Sequence, residues 1–152
     1  MIQAIRETDF TAYISTKENR IGSQTGARTR HLVKFINDLD GKVFYAYPTL
    51  ENIYDRYTKM AFTYSAASNR YTGRINLRPS GYFKYEVYEV SWVSTEITVG
   101  KGTAPATETD VFFPANNSLG VVQGLVEIGK LYLSDAIKPA GDEVQYIQNA
   151  KR

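Results

Sequence analysis

The sequence holds one histidine, His31, and no cysteine. A single imidazole cannot form a histidine pair around a metal, and without a thiol there is no thiolate metal site, no cysteine nucleophile and no disulfide framework. Arg28, Arg30 and Lys34 flank His31 and would oppose its protonation. A catalytic role also needs a nucleophile or an orienting acid, and none is identifiable beside it, so His31 reads as an ordinary strand-edge histidine. No serine lies in a Gly-x-Ser-x-Gly elbow.

Two short motifs suggest ion chemistry and then fail on spacing. Asp38, Asp40 and Gly41 match a fragment of a calcium loop, but no acidic residue follows at the required distance, and carboxylates beside a glycine suit a hairpin turn. Gly100, Lys101, Gly102 and Thr103 match part of a phosphate loop, but glycine follows the lysine where serine or threonine is needed. Glu86 and Glu89 are the only close carboxylates on the strongest predicted strand, and three-residue spacing puts them on opposite faces as solvated charges unless a bulge intervenes. Asn116 to Ser118 completes a glycosylation sequon that matters only in a secreted protein. No catalytic, cofactor or metal residue is assigned.

The most suggestive surface feature is basic: Lys17, Arg20, Arg28 and Arg30 concentrate four cations in and beside residues 16–29, with Glu18 the nearby acid. No aromatic residue is interleaved for stacking bases, so an acidic protein surface is the favoured partner over nucleic acid. Overall charge agrees, since 18 basic and 16 acidic side chains leave only +2. No apolar run approaches the roughly 20 residues that span a bilayer, and the opening residues lack the order of a secretion signal, so a soluble product is expected.

A chain of 152 residues supports one core. Twelve tyrosines and seven phenylalanines favour pleated strands. The organising stretch is 73–93: Ile75 and Leu77, a turn at Arg78-Pro79-Ser80-Gly81, then Phe83, Tyr85 and Val87 alternating with Lys84 and Glu86, all as one hairpin-like unit. Near Glu89 the apolar parity switches to Tyr88, Val90 and Trp92, which predicts a β-bulge or a change of packing partner. Earlier, Phe10, Ala12 and Ile14 mark a strand, and residues 31–47 read as a hairpin turning at Gly41. Leu50, Ile53, Tyr54 and Tyr57 have helical spacing and predict one short helix. Met60, Phe62 and Tyr64 return to alternation. Residues 94–110, rich in Thr, Gly, Ala and Pro, predict a mobile segment with at most a short strand at Ile97 and Val99. The last apolar stretch, 119–133, changes parity from Val126 and Ile128 to Leu131 and Leu133.

The expectation is an all-β fold: a single antiparallel β-sandwich, immunoglobulin-like or jelly-roll-like, over residues 1–135, with long loops and an extended C-terminal arm over 136–152 that orders on a partner through Tyr146 and Ile147.

Phe35, Asn37 and Asp38; Arg56 and Tyr57; Pro79, Gly81, Tyr82, Tyr85, Tyr88 and Glu89; and Leu125, Val126, Glu127 and Gly129 occur in an order that resembles small β-sandwich virion proteins of tailed bacteriophages, over residues 14–135. The resemblance implies a non-enzymatic structural part of the virion, assembled in the host cytoplasm, multi-copy or oligomeric, and bound to other phage structural proteins. The leading expectation is an auxiliary or decoration protein on the capsid surface. A neck, connector or tail component is the alternative. The remaining alternative is a carbohydrate-binding sandwich using Trp92, Tyr54 and Asp55. Residues 16–29 and the arm look like additions to the family's pattern, so attachment is expected there, through Lys17, Arg20, Arg28, Arg30, Tyr146 and Ile147.

Overall fold

A computed structural model describes residues 1–16, 28–93, 97–110 and 119–135. The described residues form nine strands and no helix: β1 (Ile2–Ile5), β2 (Phe10–Ile14), β3 (Thr29–Asn37), β4 (Val43–Ala46), β5 (Leu50–Ile53), β6 (Thr58–Tyr64), β7 (Arg74–Ile75), β8 (Gly81–Ser91) and β9 (Val121–Ser134). One sheet has the order β1-β9-β8-β3-β4; the other runs β2-β6-β5, with β7 also paired to β6. The all-β expectation holds. The purely antiparallel one does not, because β1 runs parallel to β9 and β7 parallel to β6.

The two sheets share one apolar core. Phe35 of β3 meets Phe62 of β6 edge-on at 5.6 Å, and Phe10 of β2 stacks on Phe62 at 5.1 Å. Val33, Phe83, Val87, Leu131 and Met60 fill the same cluster. The β3–β4 hairpin forms as expected: Asn37 Oδ1 accepts the Leu39 and Asp40 amides, and Gly41 takes a φ of 72°. Asp38 and Asp40 are spent at this turn, one paired with Lys130 and the other accepting the Lys42 amide.

Several expectations are corrected. Leu50 to Tyr57 is not helical. Leu50–Ile53 is a strand laddered to β6, and a tight turn follows, closed by the Tyr54 amide donating to the Tyr57 carbonyl at 2.8 Å. The ladder overrides the spacing, and Leu50, Ile53, Tyr54 and Tyr57 are all exposed instead of forming a buried helical face. The organising hairpin also dissolves, since β7 pairs with β6 and not with β8. β1 has no counterpart among the expected strands. Ile128 lies on the exposed side of β9.

The parity switch in β8 has a specific cause. Its pairing with β3 is unbroken from Asn37↔Phe83 to Thr29↔Ser91. The irregularity lies in β9, where Val126 and Gln123 are extra residues opposite Val87/Tyr88 and Glu89/Val90. Regular alternation in β8 therefore sends Phe83, Tyr85 and Val87 to the shared core, and Val90 and Trp92 to a second apolar cluster with Leu32, Tyr47 and Ala104. Residues 97–110 cover that second cluster as a packed strap, with Ile97, Val99 and Ala104 against it, in place of the mobile segment expected there. Where the chain enters β9, Gly120 lies flat against the Trp92 ring: a β-carbon there would fall 2.5 Å from Cζ2. Gly120→Ala is expected to destabilise by about 1–3 kcal/mol through overpacking and to shift the emission of Trp92, the single tryptophan of the chain. Unchanged emission and melting temperature would contradict the contact.

Candidate functional site

At one end of the shared core the inward row turns from apolar to polar. Pairing of β3 with β8 sets His31 opposite Glu89 and Thr29 opposite Ser91, on the parity that carries Val33 and Phe35 into the core. From the other sheet, Glu51 of β5 reaches His31: its Oε2 lies 2.7 Å from Nδ1, and its Oε1 accepts the His31 amide at 3.1 Å. The Thr16 and Thr58 hydroxyls meet at 2.7 Å, tying the chain just after β2 to the start of β6. The Ser91 hydroxyl is buried without a hydrogen-bond partner among the described residues.

His31 is thus not a strand-edge residue. It lies in an interior strand, 2% exposed, and Glu89, expected to be solvated, is 1% exposed. Glu51 supplies the orienting acid missed at the sequence level, where a glutamate twenty residues away inside an apparent helix gave no signal. With both side chains 3% exposed, the immediate consequence of the His31–Glu51 pair is mechanical: it ties β3 to β5 across the interior.

A second set of charges lies on the outer face of the five-stranded sheet. Lys34 Nζ is 2.7 Å from Glu108 Oε1, and the Tyr45 hydroxyl donates to Glu108 Oε2 at 2.5 Å. Glu86, cross-strand from Lys34, takes a hydrogen bond from Tyr88 at 2.6 Å and an ion pair from Lys84 at 2.9 Å. The hydrogen bond to Glu108 raises the Lys34 pKa against the opposing effect of burial. Burial pushes the Glu108 carboxyl up, but hydrogen bonds from Lys34 and Tyr45 outweigh it and hold that carboxyl below its ordinary range. Glu86 behaves alike: burial pushes it up, and Tyr88 and Lys84 pull it below the usual value. Burial, reinforced by bonds to these carboxylates, raises the Tyr45 and Tyr88 phenols. The strap is pinned further by the Tyr47 hydroxyl donating to the Pro105 carbonyl at 2.6 Å and Arg70 donating to the Ala106 carbonyl at 2.7 Å.

Aromatic rings remain at the surface. Tyr13, 62% exposed, meets Tyr57 at 5.5 Å, and Tyr57 meets Tyr54 at 5.1 Å, joining β2 to the β5–β6 turn. Tyr82 and Tyr132 pair at 4.9 Å on the far half of the five-stranded sheet. Trp92, expected to stand beside Tyr54 and Asp55 for a sugar, is buried in the second cluster and is excluded from such a role.

Among the expected attachment residues, Arg28 and Arg30 stand at the start of β3, the end of the sheet that holds the interior polar row, and the Arg30 guanidinium donates to the Thr29 carbonyl at 2.8 Å. Lys17, Arg20, Tyr146 and Ile147 lie outside the described residues, as do the sequon and residues 136–152. In the Gly100 to Thr103 segment, the Thr103 and Ala104 amides donate to the Gly100 carbonyl. Among the described residues no group of three or more acidic or histidine side chains is placed to hold a metal, and no helix is long and apolar enough to cross a membrane. The chain matches no family model, no curated protein and no solved structure.

Proposed function

We propose that this chain is a non-enzymatic structural protein of a tailed-phage virion, an auxiliary or decoration protein held on the capsid surface, built as an immunoglobulin-like β-sandwich. The strand orders β1-β9-β8-β3-β4 and β2-β6-β5 suit that architecture. The observation that carries the functional reading is how the polar side chains are spent. His31 and Glu51 tie the sheets together inside, and Lys34, Tyr45 and Glu108 bind the strap, so the groups with chemistry serve rigidity. Arg28 and Arg30 stand at the start of β3, at an end of the sheet, where sandwich domains commonly carry their binding loops.

Co-sedimentation with particles lacking the protein tests this. Arg28→Glu with Arg30→Glu is expected to weaken binding in a salt-dependent way, and removal of residues 136–152 in a salt-independent way. If both variants sediment like the parent protein, attachment through these elements is wrong. Copy number in purified particles separates the capsid from the neck: hundreds against about a dozen.

The Tyr13, Tyr54 and Tyr57 cluster favours a second reading, a carbohydrate-binding module whose exposed rings stack on sugar faces. A glycan array probed with the parent protein and with Tyr54→Ala decides it. Binding that Tyr54→Ala abolishes supports this reading, and an array without binding removes it.

A further inference from the structure

The geometry points to an acid-released strap: protonation of Glu108 frees residues 97–110 from the outer face of the five-stranded sheet and uncovers the apolar cluster around Trp92, while the shared core stays folded. The inference is independent of where the protein attaches.

The strap covers apolar surface but is bolted on by charge. Leu32, Tyr47, Val90 and Trp92 lie beneath it. Glu108 is the one strap carboxylate bonded to the sheet among the described residues; Asp110 turns back on the strap itself, accepting from the Ala106 amide and the Thr107 hydroxyl. Around Glu108 stand Lys34 of β3, Tyr45 of β4, and Glu86 and Tyr88 of β8. Arg70 lies over the Tyr45 ring at 5.3 Å, and Lys84 pairs with Glu86. While ionised, Glu108 accepts from both Lys34 and Tyr45. A proton on it removes the ion pair and turns one acceptor oxygen into a donor facing a lysine. Glu86, 3.9 Å from Lys34, then competes for the released ammonium and draws it toward the sheet.

Further anchors end on neutral acceptors: Tyr47 and Arg70 bond to the Pro105 and Ala106 carbonyls, and the Gly120 amide donates to the Thr103 carbonyl at 2.7 Å. The sign follows from the depressed Glu108 and Glu86 carboxyls. Their stabilisation is present above the unfolded carboxylate value of about 4.3 and is lost as pH falls through the lower folded value, so the strap opens on acidification beneath the ordinary carboxylate range.

Trp92, the single tryptophan, reports directly. Acrylamide quenching of its emission is expected to rise as pH falls from neutrality through and beneath the ordinary carboxylate range while far-UV circular dichroism keeps its strand signal. At pH 7, Glu108→Gln is expected to speed exchange of the Trp92 indole proton by roughly tenfold or more, the scale of one charge-assisted hydrogen bond, with the Met60 and Phe62 amides unaffected. Lys34→Met is expected to move the acid transition of the quenching upward in pH, and it serves alone if Glu108→Gln does not fold. Quenching that is flat with pH, that rises only together with loss of the strand signal, or that responds to neither variant overturns the proposal.

Discussion

Replacing Glu51 with alanine is expected to cost about 3–5 kcal/mol, the range for removing one member of a buried pair, and to lower the melting temperature by roughly 6–20 °C. The carboxylate serves two donors at once, the His31 ring nitrogen and the His31 amide, and both are sealed inside. Alanine leaves each without a partner where water does not reach, at about 1–3 kcal/mol per orphaned donor. Glu51→Gln keeps an acceptor oxygen for one of them and is expected to lose less than half as much. The pair also spans the two sheets, so its loss acts on sheet docking as well as on local hydrogen bonding. Thermal and urea unfolding of both variants provide the check. Equal, small losses in the two would mean that the carboxylate reaches solvent in the folded state and the tie between β3 and β5 is not made.

What the sequence announced is what has a period. β3 and β8 alternate over runs long enough to register, and the Gly41 turn carries its own chemistry, so the hairpin and the central strand were legible. The parity switch at Tyr88 was visible too. Its meaning was not, because a strand buried on both faces and a strand bent by a bulge leave similar traces, and the extra residues proved to lie in the partner strand. The strap has no period at all: Thr, Gly, Ala and Pro look alike whether loose or packed, and only Ala104 under Trp92's cluster and Glu108 on Lys34 distinguish them. β5 is four residues long, too short for alternation to outweigh a chance helical spacing, and with it went Glu51 and hence the surroundings of His31. β1 finds its parallel partner at the far end of the chain and β7 lies parallel to the strand just before it, pairings that no local alternation encodes. The expected attachment set was legible only as charge and apolar content, and of it Arg28 and Arg30 have a described place.

Gly73→Ala is expected to be strongly damaging, and Gly41→Ala supplies its control. Both glycines hold the left-handed backbone, with φ of 73° and 72°, so both substitutions carry the same conformational cost of about 1–2 kcal/mol. They differ in what the new methyl meets. At Gly41 nothing lies within 4 Å, whereas at Gly73 it would fall 2.2 Å from the Thr49 amide nitrogen and 2.7 Å from its Cα. These are backbone atoms, and they are held: the Thr49 amide donates to the Ala61 carbonyl at 2.7 Å, and Thr49 Oγ1 bonds the Thr72 carbonyl at 3.1 Å. Gly73 is fixed from its own side, because its carbonyl accepts the Thr63 amide at 2.9 Å where β7 joins β6. Relief of the clash must break one of these bonds. Overpacking of about 1–3 kcal/mol and a lost hydrogen bond of about 0.5–1.5 kcal/mol then add to the shared conformational term, for about 3–6 kcal/mol in all. Urea unfolding is expected to show Gly41→Ala losing only the conformational share and Gly73→Ala two to three times as much. Equal losses would mean that the close approach of the 65–73 turn to Thr49 is absent, and with it the seat that aligns β7 beside β6.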